Sequence, residues 1–354
     1  MSFQYGKNVK TEIFGQSHSE YIGVTVSGLP KGERIDKKKL QSFCDLRAPG
    51  RNELSTPRRE ADTIEIVSGL TENSLLNGEP LKAIIYNTNI RPGDYSQTIP
   101  RPGHADYPAF VKTGSIPSGG GSYSGRMTAP LCIAGGIALQ LLAQKGISLD
   151  AHIASIGEIS DQPFDPLTEK TEDVYCRPFP VNDSAAGEKM KERILNARNE
   201  GDSVGGVIEC KITGLAPGLG GALFNGLDGA IAQAVFAIPA VKGIEFGTGF
   251  GAACLRGSQN NDAFYFDDGK VKTRTNHCGG ILGGMSSGMP ILFRAAFKPT
   301  PSIFKPQDSV DLSANQNVTF QCRGRHDPCI VHRAVPPVIA AAAVAVLDLL
   351  GEEK

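Results

Sequence analysis

The sequence predicts an α+β fold in which helices pack against antiparallel β-sheets. Two predicted helices, 128–145 and 338–350, are apolar on nearly every face and rich in alanine and leucine, which is typical of helices buried in a core. Short β-branched or alternating runs precede and follow the first of them, as in strands with one wet face. The order of these segments lacks the regular strand–helix alternation of a doubly wound parallel sheet.

The elements follow one another along a chain without internal repeats or a low-complexity linker. The predicted strands are 23–26, 63–67, 81–86, 206–212 and 290–297, and the predicted helices are 36–46, 128–145, 187–199, 227–238 and 338–350. The polar stretch 161–202 is the best candidate for an exposed excursion. Because motif-like segments are spread from residue 15 to residue 333, one site must draw on the whole length, and we expect residues 1–354 to form a single domain.

Composition narrows the possible functions. The 36 basic and 37 acidic residues nearly cancel, and the absence of tryptophan removes the best stacking platform, so we expect no nucleic acid partner. The apolar run 334–347 contains Pro336 and Pro337 and is shorter than the roughly 20 residues of a membrane span, so we expect no membrane partner. Eight cysteines without a C-x-x-C pair and a start without a secretory signal indicate a cytoplasmic protein.

Two segments carry groups that bind anions. Four arginines cluster in a loop broken by prolines and glycine, and their planar guanidinium groups could close on a polyanion: Arg47, Arg51, Arg58 and Arg59. The segment SGGGSYSGR (118–126) leads into the apolar helix, where free backbone N–H groups and a helix N-terminus favour phosphate. It lacks the lysine of a P-loop. The alternatives are a solvated charged loop and a flexible glycine loop.

Two further segments contain histidines. In RPGHADY (101–107), His104 could donate a proton beside the anion-binding Arg101, form half of a metal site with Asp106, or merely stabilise a turn. In GRHDPC (324–329), followed by His332 and Arg333, an acid and base pair beside arginines is more economical than a zinc site. Four candidate ligands within so few residues would make a poor tetrahedron: His326, Asp327, Cys329 and His332.

Two glycine-rich segments concern cofactors. Gly247, Gly249 and Ala252 match a dinucleotide fingerprint, but the residues that follow indicate a loop rather than a helix, so we expect no such site. The clusters in TNHCGGILGGMSSGMP (275–290) and KPTPS (298–302) could hold a phosphate tail and a flat ring. The alternative is a pair of β-turns.

Taken together, the segments resemble the chorismate synthase family. The resemblance rests on GQSH (15–18), PGR with STPRRE (49–60), RPGHADY, the glycine loop, GGILGGMSSG with KPTPS, and GRHDPC, in that order. It implies a helical core sandwiched between antiparallel β-sheets, and a homotetramer. It also implies conversion of 5-enolpyruvylshikimate 3-phosphate to chorismate with loss of phosphate, using reduced FMN that is not consumed overall, since ordinary acid–base groups cannot easily remove hydrogen from an unactivated carbon.

Roles follow from the resemblance by position. The substrate's phosphate and two carboxylates would be bound by Arg47, Arg101, Arg126 and Arg333. His18 would protonate the departing phosphate, His104 would stabilise the reduced flavin, and Asp327, near the flavin N5, would help remove the substrate hydrogen. The flavin contacts would be Tyr123, Ser124, Ala240, Gly283, Lys298, Pro299, Thr300, Pro301, Ser302 and Arg325.

The sequence also bears on the flavin reductant and on two alternative functions. No metal is implied, and without a dinucleotide fingerprint we expect an external flavin reductant rather than intrinsic NADPH-dependent reduction. The chain departs from the commonest family pattern at Gln16, Ser19, Ser122, Tyr123, Met127, Leu131 and Pro239. These departures leave open a non-catalytic flavin-binding relative. A metal-dependent phosphohydrolase would instead use His104, Asp106, His326, Asp327 and His332.

Overall fold

The computed structural model describes residues 2–50, 54, 60–89, 95–322 and 326–351. Its helices are α1 (Lys37–Arg47), α2 (Asp106–Thr113), α3 (Thr128–Gln144), α4 (Ser184–Asn199), α5 (Leu227–Phe236), α6 (Gly257–Asn260) and α7 (Val331–Leu350). Its strands are β1 (Ser2–Tyr5), β2 (Lys10–Gly15), β3 (Tyr21–Ser27), β4 (Glu65–Ser68), β5 (Leu81–Tyr86), β6 (Ser148–Ile156), β7 (Ile159–Ser160), β8 (Gly206–Thr213), β9 (Val241–Phe246), β10 (Phe264–Asp267), β11 (Lys270–Thr273), β12 (Ile281–Leu282), β13 (Met285–Ser286), β14 (Ile291–Phe297), β15 (Gln307–Asp311) and β16 (Gln316–Phe320).

The strands form two five-stranded antiparallel sheets and three hairpins. The first sheet has the order β1-β2-β3-β5-β4 and the second β7-β6-β8-β14-β9, while β10-β11, β12-β13 and β15-β16 pair by themselves. Both large sheets are antiparallel, as the alternating runs predicted. Every predicted helix and strand overlaps an observed one, and the α+β class is confirmed.

The long helices lie between the two sheets. Helix α3 packs on β3 and β5 of the first sheet, α7 packs on β6 and β8 of the second, and α3 and α7 pack on each other. The two helices approach closely at Gly135, where an added Cβ would overlap Ala340. Small residues at this contact allow the backbones to come together, so the alanine-rich sequence of α7 serves packing between helices.

Helix α7 begins earlier than predicted. The predicted start at 338 placed Pro336 and Pro337 before the helix, because proline lacks the N–H that bonds to the carbonyl four residues earlier. In the structure the helix begins at Val331 and contains both prolines. The helix therefore lacks the bonds that the two missing N–H groups would form, and its first turn carries Arg333.

Strand β6 was not predicted, because polar residues interrupt its apolar pattern. His152 is fully buried, with Nδ1 2.7 Å from Asp161 Oδ2 and Nε2 3.0 Å from Glu209 Oε2. Burial alone would lower the pKa of His152, but the hydrogen bonds to the two carboxylates outweigh it and the pKa is raised. Asp161 also accepts hydrogen bonds from the backbone of Asn182 and Asp183. The stretch 161–202 is thus anchored to the sheet rather than free.

Two helical segments, 125–144 and Val331–Leu350, are long and apolar enough to cross a membrane by length and composition. Within the most apolar windows of these segments, 72% and 89% of the residues are buried inside the protein. Burial of this extent between two sheets is that of core helices.

Candidate active site

A cleft of about 540 Å³ is lined by loops from distant parts of the chain. Its walls come from the end of α1, the segment 101–105, the glycine loop, the start of α3, the segment 236–241, the segment 297–302 and the first turn of α7. The ends of the helices that lie between the sheets therefore position these loops.

The glycine loop (residues 118–126) forms two short 3₁₀ turns, Ser118–Tyr123 and Gly125–Met127, that lead into α3. Gly119, Gly120 and Gly121 have φ values of 59°, 83° and 52°, in the left-handed region that favours glycine. A Cβ on Gly119 would overlap the ring of His18, and one on Gly120 would lie 3.1 Å from His104 Cε1. The glycines therefore allow both imidazole rings to lie directly against the loop.

His104 is held by a buried carboxylate. Its Nδ1 lies 2.7 Å from Asp106 Oδ1 and 3.2 Å from Arg101 Nη2. Because the carboxylate contact is shorter and a guanidinium can only donate, we assign the proton to Nδ1, which donates to Asp106. Burial alone would raise the pKa of Asp106, but hydrogen bonds from His104 and Arg101 lower it well below its usual range. The ring nitrogen Nε2 is left for a ligand or proton transfer.

A second buried carboxylate joins two arginines. Arg47 Nη1 lies 2.9 Å from Asp62 Oδ2, and Arg126 Nη1 contacts Asp62 Oδ1. Burial alone would raise the pKa of Asp62, but the two guanidinium charges outweigh it and the pKa is lowered. Arg126 Nη2 is buried and has no hydrogen-bond partner among the residues that the structure describes. An anionic ligand in the cleft would supply that partner.

The first turn of α7 adds a third pair. Arg333 Nη1 donates to Asp327 Oδ2 at 2.6 Å, and Arg333 Nε donates to the carbonyl of Arg47 at 3.2 Å. The neighbouring His332 faces away from the cleft, stacks on Phe179, and is buried with neither ring nitrogen bonded within the described ranges. Burial lowers the pKa of His332 to about 4, so it is neutral at pH 7.

One wall of the cleft is apolar and ends in polar groups. Phe236, Ile238 and Pro239 line it beside Ala240, which has a φ of 76°. The carbonyl of Ala240 accepts from the backbone N–H of Lys298 at 3.0 Å, and the ammonium group of Lys298 donates to the carbonyl of Gly103. Burial, and secondarily Lys242, lowers the pKa of Lys298. A flat apolar ring with polar substituents would suit this wall.

Most of the predicted site residues meet in the cleft. Those that line it are His104, Asp327, Arg47, Arg101, Arg126, Arg333, Tyr123, Ser124, Ala240, Lys298, Thr300, Pro301 and Ser302. His18 lies beside it, between Ser17 and Gly119, which both line the cleft.

Two predicted flavin contacts are not brought to the cleft by this chain. Gly283 is exposed in the turn between β12 and β13, and Pro299 is exposed beside Gly205. The directions of Gly283 in GGILGGMSSG and of Pro299 in KPTPS cannot be predicted from the sequence, because each depends on the geometry of its turn. Arg325, Arg51, Arg58 and Arg59 lie outside the described residues.

Several residues of the site were not predicted. Glu60 and Asp62 lie at the end of the arginine-rich segment, and Asn87 Oδ1 accepts from Arg126 Nε at 3.0 Å. Asp106 was considered only as a metal ligand, whereas it orients His104 and Arg101. The short spacing from Arg101 to Asp106 was a signal for this pairing, but nothing in the sequence links Asp62 to Arg126.

The structure also bears on the alternatives. In the described part of the chain, no group of three or more His, Cys, Asp and Glu residues is arranged to hold a metal ion. A 3₁₀ turn, not a long helix, follows β9 at the dinucleotide-like pattern. Met127 is buried and Leu131 is half-buried against the hydrophobic core, so both of these departures from the family pattern contribute to packing.

Four arginines, each in contact with a carboxylate, and two histidines packed against one glycine loop are typical of an enzyme that acts on a polyanionic small molecule. Comparison with known proteins specifies it further. The family model for chorismate synthase matches residues 9–350. The chain is 44% identical over 367 residues to the chorismate synthase of Lancefieldella parvula, covering 99% of this chain and 96% of that protein.

Other relatives agree. The chorismate synthase of Korarchaeum cryptofilum is 41% identical over 348 residues, covering 97% of this chain and 96% of that protein. A crystal structure of chorismate synthase superposes with a TM-score of 0.75 at 24% identity, covering 99% of this chain and 93% of that one, which shows the shared fold. The chain belongs to the chorismate synthase family, whose members are lyases of aromatic biosynthesis.

Proposed function

We propose that this chain converts 5-enolpyruvylshikimate 3-phosphate to chorismate by eliminating phosphate, with reduced FMN as its cofactor. The observation that supports this most directly is the cleft itself. It combines a cationic end formed by Arg47, Arg126 and Arg333 with an apolar wall at 236–241. The substrate has a phosphate and two carboxylates, and planar guanidinium groups match both. Arg101 would complete the set from the opposite loop.

Proton transfer to the leaving phosphate is assigned to His18. The ring lies against Gly119, its Nδ1 is 3.2 Å from Ser17 Oγ, and it meets Tyr95 edge to face with centroids 5.7 Å apart. These contacts fix the plane of the His18 ring against the glycine loop, where we propose that the phosphate binds. Protonation of the departing phosphate at this position would make it a better leaving group, and histidine is suited to donate near neutral pH.

The residues present fit reduced FMN. Thr300 Oγ1 is a buried donor with no hydrogen-bond partner among the described residues, and Ser302 Oγ accepts from Arg101 Nη1 at 3.2 Å. Tyr123, Ser124, Ala240, Lys298 and Pro301 line the same region. When bound, the reduced flavin would lend electron density to the substrate and recover it, so that the elimination is redox-neutral overall. His104, whose Nδ1 donates to Asp106, would present an unprotonated Nε2 to the flavin side of the cleft as a proton acceptor.

Asp327 is assigned to removal of the substrate hydrogen. It lines the cleft, and Arg333 donates to its Oδ2 at 2.6 Å. This carboxylate would accept the proton once the substrate is positioned. Arg333 thus has two functions, since it also lies in the anion-binding set.

The wider context is proposed on the same basis. We propose a single domain, since one hydrophobic core extends across both sheets, together with a cytoplasmic location and an external flavin reductant. We also propose a homotetramer. In such an assembly, the exposed Gly283, which does not line this chain's cleft, would contact flavin in the cleft of another subunit.

The test is an anaerobic assay with purified protein, FMN and dithionite, measuring phosphate release and chorismate from the enolpyruvyl substrate. We expect turnover that requires reduced flavin and survives chelator. His104→Ala should lower kcat far more than it changes KM. Flavin binding without any turnover would support the non-catalytic relative, and chelator-sensitive phosphate release without flavin would support a phosphohydrolase.

A further inference from the structure

Two arginines of the cleft share the carboxylate of Asp62, and Arg126 Nη1 also lies 3.4 Å from Glu60 Oε2. Arg47 and Arg126 are each 5% exposed, and Asp62 between them is 3% exposed, with one oxygen directed to each guanidinium group. Removed from water, the two cations would repel each other strongly. Shared ion pairing to Asp62 offsets that repulsion before any ligand arrives.

The backbone at this position is held in an uncommon conformation. Asp62 has a φ of 47°, in the left-handed region, where a residue other than glycine is strained. The side chain of Gln41 on α1 fixes the segment on both sides, since its Nε2 donates to the carbonyl of Asp62 at 3.2 Å and its Oε1 accepts from the N–H of Ile64 at 3.0 Å. The strained residue is therefore held where its carboxylate reaches both arginines.

Most of the remaining guanidinium nitrogens of the two arginines donate to protein groups, and one does not. Arg47 Nε donates to Thr128 Oγ1 at 3.0 Å and its Nη2 to the carbonyl of Gly125 at 3.1 Å. Arg126 Nε donates to Asn87 Oδ1, while its buried Nη2 has no partner in the described ranges. The protein side of the Arg126 guanidinium is occupied, and the remaining nitrogen is available to an anion.

We propose that Asp62 is a positioning residue for substrate binding: it holds the guanidinium groups of Arg47 and Arg126 in the orientation that binds a phosphate or carboxylate of the substrate. The proposal rests on the proposed function for the identity of that substrate, but the anion site itself can be tested without turnover. The positioning role and simple electrostatics predict opposite effects of removing the Asp62 charge. Removing a negative charge from an anion site should strengthen anion binding, whereas losing the orientation should weaken it.

The test uses Asp62→Asn and Asp62→Gly in the full chain, with inorganic phosphate as the binding probe in calorimetry and the enolpyruvyl substrate in the anaerobic assay. Asn tolerates the left-handed conformation and Gly adopts it without strain, so both preserve the backbone. We expect the phosphate Kd and the substrate KM to rise about tenfold to hundredfold, as for loss of charged hydrogen bonds, with a smaller change in kcat.

The matched control is Asp348→Asn. Asp348 is also a buried carboxylate and accepts backbone N–H groups of Lys7, Asn8 and Val9, but it does not line the cleft. This variant should lower Tm and leave KM and phosphate binding unchanged. If Asp62→Asn binds phosphate as tightly as wild type or more tightly, or if Asp62→Gly behaves like wild type, the proposal is overturned.

A third variant covers failure to fold. Asp62→Glu keeps the charge balance of the buried cluster but moves the carboxylate by one methylene, and it too should weaken phosphate binding. Wild-type binding by a folded Asp62→Glu protein would overturn the proposal. If wild type binds phosphate but shows no turnover of the enolpyruvyl substrate, while the Asp62 variants lose phosphate binding, the proposed function fails and the positioning role stands.

Discussion

Replacing Asp106 by asparagine should reverse the tautomer of His104. Asp106 Oδ2 accepts from Arg101 Nε at 2.7 Å and from the Arg101 backbone N–H at 3.1 Å, and Oδ1 accepts from Arg101 Nη2 at 2.9 Å and from His104 at 2.7 Å. An amide has one acceptor oxygen and one NH₂ group. Because the two donors at Oδ2 can only donate, the amide oxygen should take that place, and the NH₂ group should face His104 Nδ1. That nitrogen must then accept, which moves the ring proton to Nε2.

The size of the effect follows from the same contacts. The NH₂ group also faces Arg101 Nη2, so one charge-assisted hydrogen bond is lost, at a cost of about 1.5–3 kcal/mol of stability. With the proton on Nε2 instead of Nδ1, the nitrogen that faces the cleft can no longer accept a proton. The contribution of His104 to proton transfer should be lost, and kcat should fall about 10²- to 10⁴-fold. KM should change less, because Arg101 keeps its contacts to the Oδ2 position and to Ser302.

Two measurements test this prediction. Steady-state anaerobic phosphate release separates kcat from KM, and nitrogen-15 NMR of labelled histidine reports which ring nitrogen carries the proton. Asp262→Asn is the control, since Asp262 accepts hydrogen bonds from the backbone N–H groups of His277 and Cys278 and does not line the cleft. Unchanged nitrogen signals together with near-normal kcat in Asp106→Asn would show that the carboxylate does not set the state of His104.

Three further predictions concern the glycine loop, Asp327 and acid stability. Gly119→Ala should displace the His18 ring and lower kcat at least about tenfold. The control is Gly114→Ala, where φ is 79° but the space around an added Cβ is open, so only stability should fall. Equal activity of the two variants would contradict the contact assigned to Gly119. Asp327→Asn should lower kcat more than it changes KM, and an effect on KM alone would contradict its role. For His332, a folded pKa of about 4 against 6.5 in the unfolded chain means that the folded state binds fewer protons, so the free energy of unfolding should fall by about 2 kcal/mol from pH 7 to pH 5. His332→Leu should lose correspondingly less in urea denaturation, and an equal loss would refute the attribution.

The sequence predicted the α+β class, and most of the site residues that it suggested line the cleft; the failures have physical causes. Strand β6 was missed because Asp150 and His152 break its apolar alternation, and their compensation comes from Asp161, Glu209 and backbone groups far along the chain. The start of α7 was missed because proline usually marks a boundary.

In the site, too, contacts between residues far apart in sequence could not be predicted. His104, Arg101 and Asp106 are close in sequence, so their grouping was visible, although the role of Asp106 was not. Asp62 could not be assigned to Arg126, because that contact exists only once α1, the following segment and the start of α3 are packed together.

The close approach of α3 and α7 has a consequence for protein engineering. Arg333 and Ala340 are seven residues apart on α7, so they lie on one face about 10 Å from each other along the helix axis. Ala340 meets Gly135 of α3, the helix that begins just after Arg126. A larger side chain at either contact would push the helices apart and separate Arg126 from Arg333, the arginines that we propose bind the anion. Attempts to raise thermal stability by filling this interface would therefore alter substrate affinity, although neither position faces the cleft.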